Sequence, residues 1–220
     1  VTRAHHVMHP EFFDFKSIND YQEKIANGKV ILQPQDRKKI IVQEGKKLAE
    51  ARGFYLIEDD KLLEEIVGLT EFPVPLLGKI PEELLSIPEE VIISSMREHQ
   101  KFLSLRSSSN GKVEGFLVIT DLETHDQQKT ILSGNMRVLN SRLKDAIFFY
   151  QNDLDLVKHH GMMAWNDKLK SVRFHEKLGS QYNRVERIVK ISVMLARQFE
   201  LGKDQVLSLI HISEPTRLHV

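Results

Sequence analysis

Between residues 133 and 150 the apolar side chains Met136, Leu139, Leu143, Ile147 and Tyr150 recur at intervals of three and four residues. On a helix turning about 100° per residue that spacing forms a single stripe. The stretch therefore predicts one long helix that packs on one side and meets solvent on the others. Ser133 is the expected N-cap, with Gly134 letting the chain turn in tightly. Residues 151–155 are expected to end the helix, and His159-His160-Gly161 to break the chain at a domain boundary. Arg137, Ser141 and Lys144 share a face well away from the stripe, and Arg142 lies on the far side. Such cations are either simply solvated or available to an anionic partner.

The 220 residues allow one large domain or two small ones, and a 41% hydrophobic content allows a core. Lys and Arg number 31, balanced by 31 Asp and Glu, so any nucleic-acid surface must be a local patch. Cysteine is absent, which excludes disulfides, thiolate metal sites and a cysteine nucleophile. No apolar run approaches the roughly 20 residues that span a bilayer, and the first residues lack a signal-peptide pattern. The chain also lacks an initiating Met and reads as a fragment that starts within a longer protein. No Gly-rich phosphate loop, Gly-x-Ser-x-Gly, His-Glu-x-x-His or zinc spacing is present, so self-contained catalysis is not expected.

His5, His6 and His9 near the start invite a metal reading. Pro10 opposes a helix that would gather them on one face, so a strand or loop without metal is expected. Ser17 should cap a short helix burying Ile18, Tyr21 and Ile25, ended by Asn27-Gly28. Residues 29–32 are expected to form a strand. Pro34 opens a helix through Arg52 with Ile40, Ile41, Leu48 and Ala51 inward and five cations outward. Residues 54–57 read as a strand, and Asp59 or Asp60 as the cap of a helix over 61–67. Pro73 and Pro75 forbid a helix in residues 69–79 and fit an extended edge. Pro88-Glu89-Glu90 starts a helix burying Val91, Ile92 and Met96. Two strands, 101–105 and 113–120, should flank a loop turned by Asn110-Gly111. After an approach helix over 165–171, a long helix runs from Gln181 to Leu201, its stripe Val185, Ile188, Ile191 or Ser192, Leu195 and Phe199.

Several of these stretches carry a family pattern. Residues 69–74, Leu-Thr-Glu-Phe-Pro-Val, and residues 96–102, Met-Arg-Glu-His-Gln-Lys-Phe, form one block. Gly134, Asn135, Arg137, Val138, Leu139, Arg142, Leu143, Asp145, Ala146, Phe148 and Phe149 form a second. Val172, Phe174, Glu176, Lys177, Leu178, Gly179, Ser180, Arg184, Arg187 and Ile188 form a third. Together they resemble the β subunit of the bacterial two-subunit glycyl-tRNA synthetase over about residues 1–207. Near the start, Ala4-His5-His6-Val7 keeps one His of a Gly-His-Arg-Phe-like run. Met136 departs from a usual Glu, Asn140 from a common basic residue, and His175 from a common Gln. Residues 208–220 do not resemble the family and are expected to be a non-native tail.

The resemblance implies an α+β fold. Residues 1–160 would form a mixed B3/B4-like and linker region, and residues 161–207 the start of an all-helical HD-like domain. It implies part of a glycine–tRNA ligase that binds and positions tRNA(Gly) in an α2β2-type assembly. The separate α subunit would activate glycine, so the whole enzyme uses ATP and Mg while this fragment needs no cofactor or metal and carries no catalytic residue. The cytoplasm is the expected location, or an organelle for a plant-type fused enzyme, with no membrane association. Candidate tRNA contacts are Arg97, Lys101, Arg137, Arg142 and Lys144 to phosphates, with His99, Gln100 and Asn135 as hydrogen-bonding partners. Gln100 and Asn135 could equally cap helices or strands. The alternative reading is an HD-type phosphohydrolase or hydrolytic editing fragment, and a third is a stand-alone scaffold.

Overall fold

The computed structural model describes residues 1–161, 164–200 and 202. The chain divides into two compact units, Val1–Tyr150 and Gln151–Val220. The expected tail lies outside the described residues. No helix among the described residues is long and apolar enough to cross a membrane.

The first unit opens with a small ribbon, β1 (Thr2–Arg3) against β2 (Phe12–Phe13). Helix α1 (Ile18–Asn27) is capped as expected, the backbone N–H of Asp20 donating to Ser17 Oγ. Only part of its expected stripe goes inside: Ile25 is buried while Ile18 is exposed. Residues 29–32 do not form the expected strand. Lys29 takes a left-handed φ of 61°, and Ile31 contributes a single backbone bond to Glu71 O.

Helix α2 (Pro34–Glu50) starts with Pro in its first turn. It lays Ile41, Gly45 and Ala49 toward the sheet, and a Cβ on Gly45 would stand 2.6 Å from Leu117 Cδ2. Glycine is what allows that close approach. Strand β3 (Phe54–Leu56) leads to α3 (Asp60–Leu69), where Leu62 N–H donates to Asp59 Oδ1. Strand β4 (Val74–Lys79), α4 (Glu89–Ser95), β5 (Leu103–Ser107) and β6 (Val113–Thr120) follow. The strands form one antiparallel sheet in the order β3-β5-β6-β4. Pro75 is tolerated because β4 is an edge.

Alternation along the strands builds two cores. Leu77, Leu103, Leu105 and Leu117 join Ile41, Ala49, Leu62, Leu63 and Ile66 of α2 and α3 on one side of the sheet. Phe102, Val113, Phe116 and Val118 face the other way, with Ile80, Leu84, Ile92 and Met96, and with Leu139 and Leu143 of α5 (Lys129–His160). Phe102 and Phe116 stack with ring centroids 4.9 Å apart. The β5–β6 hairpin turns at Gly111, φ 71°, and its register shifts at Leu105/Arg106. Glu89 of α4 supports that irregularity: one carboxylate oxygen accepts Val113 N–H at 3.0 Å, the other accepts Arg106 Nη1 at 2.7 Å.

Helix α5 has 32 residues and begins four residues before the expected cap. Ser133 and Gly134 lie inside it, because a turn upstream does the capping: Gln128 N–H donates to Thr124 Oγ1 and Thr130 N–H to Asp126 Oδ2. The helix runs through residues 151–155 to His160, and Gly161 (φ 73°) ends it.

The second unit contains the end of α5, where the division falls, then α6 (Ala164–Lys168), the ribbon β7 (Arg173–His175) with β8 (Gly179–Ser180), and α7 (Gln181–Gln198). A capping box opens α7: Asn183 N–H donates to Ser180 Oγ, and Ser180 N–H to Asn183 Oδ1. Arg184 lies over the Phe174 ring at 4.7 Å, and Arg187 donates to Leu178 O. The expected stripe of α7 is met in its first half, where Val185, Ile188 and Ser192 are half-buried, and not in its second. Ala196 is buried, while Ile191, Leu195 and Phe199 are exposed. Burial pushes the Asp153 carboxyl up from its ordinary range, against the pull of the Lys168 charge.

Candidate nucleic-acid interface

The eight candidate residues fall on two elements of the first unit. Arg97, His99 and Gln100 occupy a π turn, Met96–Gln100, that extends α4. The wider turn ends at Lys101, held left-handed at φ 55° so that Phe102 can enter the core and donate its N–H to Met96 O. Met96 itself is fully buried. The turn thus anchors on Met96 and Phe102 and presents the intervening polar side chains outward.

Its cations are not free. Arg97 Nε lies 3.2 Å from Asp59 Oδ2 and 3.9 Å from Glu98, and Lys101 Nζ lies 2.9 Å from Glu65. Asp59 therefore does two things, capping α3 with one oxygen and holding Arg97 with the other. His99 and Gln100 make no side-chain hydrogen bond among the described residues. His99 is exposed, Gln100 half-buried.

The other group sits on α5. Leu139 and Leu143 are fully buried and fix which face points out. Arg137, Arg142 and Lys144 are exposed and make no ion pair among the described residues. Asn135 is turned back onto its own helix, Nδ2 donating to Ile131 O at 2.9 Å. Asn140, where a basic residue is common in the family pattern, is half-buried and leaves Oδ1 without a partner among the described residues. Among the described residues, the π-turn group and the α5 group share no hydrogen bond or ion pair. In the second unit His175 is exposed, and its Nδ1 accepts Lys177 N–H.

A second polar cluster has a different character. His5 follows β1 and is fully buried, its N–H donating to Gly28 O. Its Nδ1 accepts the backbone N–H groups of Val7 and Met8 at 3.3 and 3.2 Å. Its Nε2 has no hydrogen-bond partner among the described residues, although Asp121 Oδ2 stands 3.4 Å away. The alignment does not make a hydrogen bond, and a buried polar atom so placed costs about 1–3 kcal/mol. Asp121, just past β6, accepts Glu71 N–H and Phe72 N–H with its other oxygen. Ligand atoms of His5, His6, Glu71 and Asp121 all lie within 4.8 Å of one another. Sequence spacing near His5 pointed away from this cluster because its acidic members come from the far ends of β4 and β6. Only the resemblance of the Ala4-His5-His6-Val7 run to a family motif marked the place.

The chain matches the family described as glycyl-tRNA synthetase beta subunit over residues 1–214. It is 43% identical over 204 residues to the glycine–tRNA ligase beta subunit of Paracoccus denitrificans, covering 93% of this chain and 30% of that protein. For the beta subunit of Dinoroseobacter shibae the values are 42% over 204 residues, with 93% and 28% covered. For that of Rhodospirillum centenum they are 37% over 200 residues, with 91% and 28% covered. The chain thus spans less than a third of the length of these relatives. With a match across nearly all of its own length, this chain belongs to the glycyl-tRNA synthetase beta subunit family.

Proposed function

We propose that this chain serves glycine–tRNA ligase by binding and positioning tRNA(Gly), while an α subunit carries out the ATP- and Mg-dependent glycylation. The observation that carries the reading is α5: three exposed cations, Arg137, Arg142 and Lys144, on a helix whose packed side is locked by Leu139 and Leu143. Phosphate recognition needs such cations on a rigid element, free of internal carboxylates. The names of the relatives, all beta subunits of glycine–tRNA ligase, support the substrate and the α-subunit partner. Arg97, His99, Gln100, Lys101 and Asn135 form the secondary part of the surface, since Arg97 and Lys101 must first leave Asp59 and Glu65. In this reading the second unit begins an HD-like helical domain, the complex works in the cytoplasm, and this chain holds neither ATP nor Mg.

The test is tRNA(Gly) binding by a full-length beta subunit with its α partner, measured against salt. Replacing Arg137, Arg142 and Lys144 together by Ala should weaken binding and flatten the log–log salt dependence. An unchanged slope would reduce α5 to a packing element.

A further inference from the structure

We propose that His5, His6, Glu71 and Asp121 form a binding site for one divalent cation of the zinc class. Four potential ligands converge from three separate parts of the first unit: the segment after β1, the segment before β4 and the end of β6. Their donor atoms lie within 4.8 Å of one another. Zinc–ligand bonds of about 2.0–2.2 Å place tetrahedral donors about 3.3–3.6 Å apart, so the cluster closes around a metal with side-chain movements of about an ångström. Two imidazole nitrogens with two carboxylates suit zinc and neighbouring first-row ions better than Mg or Ca, which take all-oxygen shells.

Proximity of acids to a histidine is common without a metal, so the decisive observation is the His5 ring. It is fully buried, its Nε2 is unpartnered, and it faces Asp121. The backbone around it is fixed: His5 N–H bonds to Gly28 O, His9 N–H to His5 O, and Ala4 packs so tightly that a Cβ on Gly28 would strike it. Asp121 is likewise oriented by the Glu71 and Phe72 amides through Oδ1, which leaves Oδ2 for a ligand. His6 stacks on His5 with centroids 5.1 Å apart. The neighbouring Lys29 is drawn to Glu123 at 3.0 Å and over the Phe72 ring, so its charge is already countered. As the ring stands, Nδ1 accepts two amides, which places the ring hydrogen on Nε2. Ligation moves that hydrogen to Nδ1 and gives up those two long contacts, so the ring itself reports occupancy.

The experiment titrates Zn²⁺ into the full chain after chelator treatment, with calorimetry, elemental analysis and ¹⁵N spectra of the histidine rings. His6→Ala and Glu71→Gln remove exposed ligands and should leave the fold intact, which circular dichroism and thermal melting check. Expected are one zinc per chain, loss of the Nε2 hydrogen of His5, and at least a roughly tenfold weaker affinity in each variant. Loss of a mere supporting partner already costs about 10–100-fold at established sites. Excess Mg²⁺ should not compete. A chain that takes up no zinc at micromolar concentration overturns the proposal. So does zinc bound equally by both folded variants, or a His5 ring that keeps its Nε2 hydrogen in saturating zinc; the cluster is then a His–Asp contact that only joins strand ends.

Discussion

Two sets of cations on the first unit differ in what holds them. On the π turn, Arg97 and Lys101 are tied to Asp59 and Glu65 of the neighbouring helix region. On α5, Arg137, Arg142 and Lys144 are exposed and make no ion pair among the described residues. The sequence presents both sets alike, as basic residues beside buried apolar positions. The difference is electrostatic availability. A tethered cation must give up its carboxylate before it neutralises a phosphate, whereas an untethered one gives up only water and salt ions.

The comparison fails at once if α5 is not docked, so the largest expected effect concerns Leu143. Replacing this fully buried side chain by Ala should cost about 2–5 kcal/mol, read by chemical denaturation. A near-neutral result would remove the rigid platform on which the α5 cations are read. Next, the Arg137→Ala, Arg142→Ala, Lys144→Ala triple variant should lose about 0.7–0.9 of log–log salt slope for tRNA(Gly) per phosphate contact removed. Arg97→Ala with Lys101→Ala should lose less. The reverse order would invert the comparison.

Releasing the tethered pair sharpens it. Asp59→Asn keeps a side-chain cap for α3 while discharging the partner of Arg97, and Glu65→Gln discharges the partner of Lys101. Exposed pairs contribute about 0–1 kcal/mol, so stability should hardly change. tRNA binding should tighten and its salt dependence steepen.

The smallest effect is expected at the start of α5. A hydrogen bond from the Thr124 hydroxyl, then bonds from the Thr130 side chain and N–H, hold the Asp126 carboxyl well below the usual carboxylate range. Its folded value is depressed, so its contribution is complete above the unfolded value of about 4 and fades as pH falls through the folded one. Asp126→Asn should therefore be slightly less stable than the parent at neutral pH. The gap should close in strong acid, as acid titrations of both proteins would show. A gap independent of pH would mean that shape, not charge, anchors the helix.

What could be read from the sequence was mostly what one turn of chain decides. Ser17 and Asp59 cap by bonding three residues ahead, and Gly111 turns a hairpin with a conformation other residues resist. Leu139 and Leu143 were legible because a helix repeats its own pattern. The start of α5 was misjudged because Thr124 and Asp126 offered a cap further upstream. Residues 29–32 looked extended, yet no neighbouring strand offers them a ladder. In α7 the periodicity was present, but tertiary packing selected Ala196 rather than Leu195. Among the candidate contacts, residue type did not reveal that Asp59 and Glu65 would claim Arg97 and Lys101. Nor did spacing reveal that Glu71 and Asp121 would come to His5, because those meetings are made by the sheet and not by local sequence.

Glu89 has a consequence for the order of events in folding. A hairpin such as β5–β6 is ordinarily a local unit that closes within microseconds. Here the strands lose register at Leu105/Arg106, and a carboxylate from the preceding helix takes Val113 N–H on one side and Arg106 on the other. The native register of the hairpin is therefore bonded to a residue 24 positions away in sequence, which makes an otherwise local unit depend on a less local contact, and folding slows as contacts become less local.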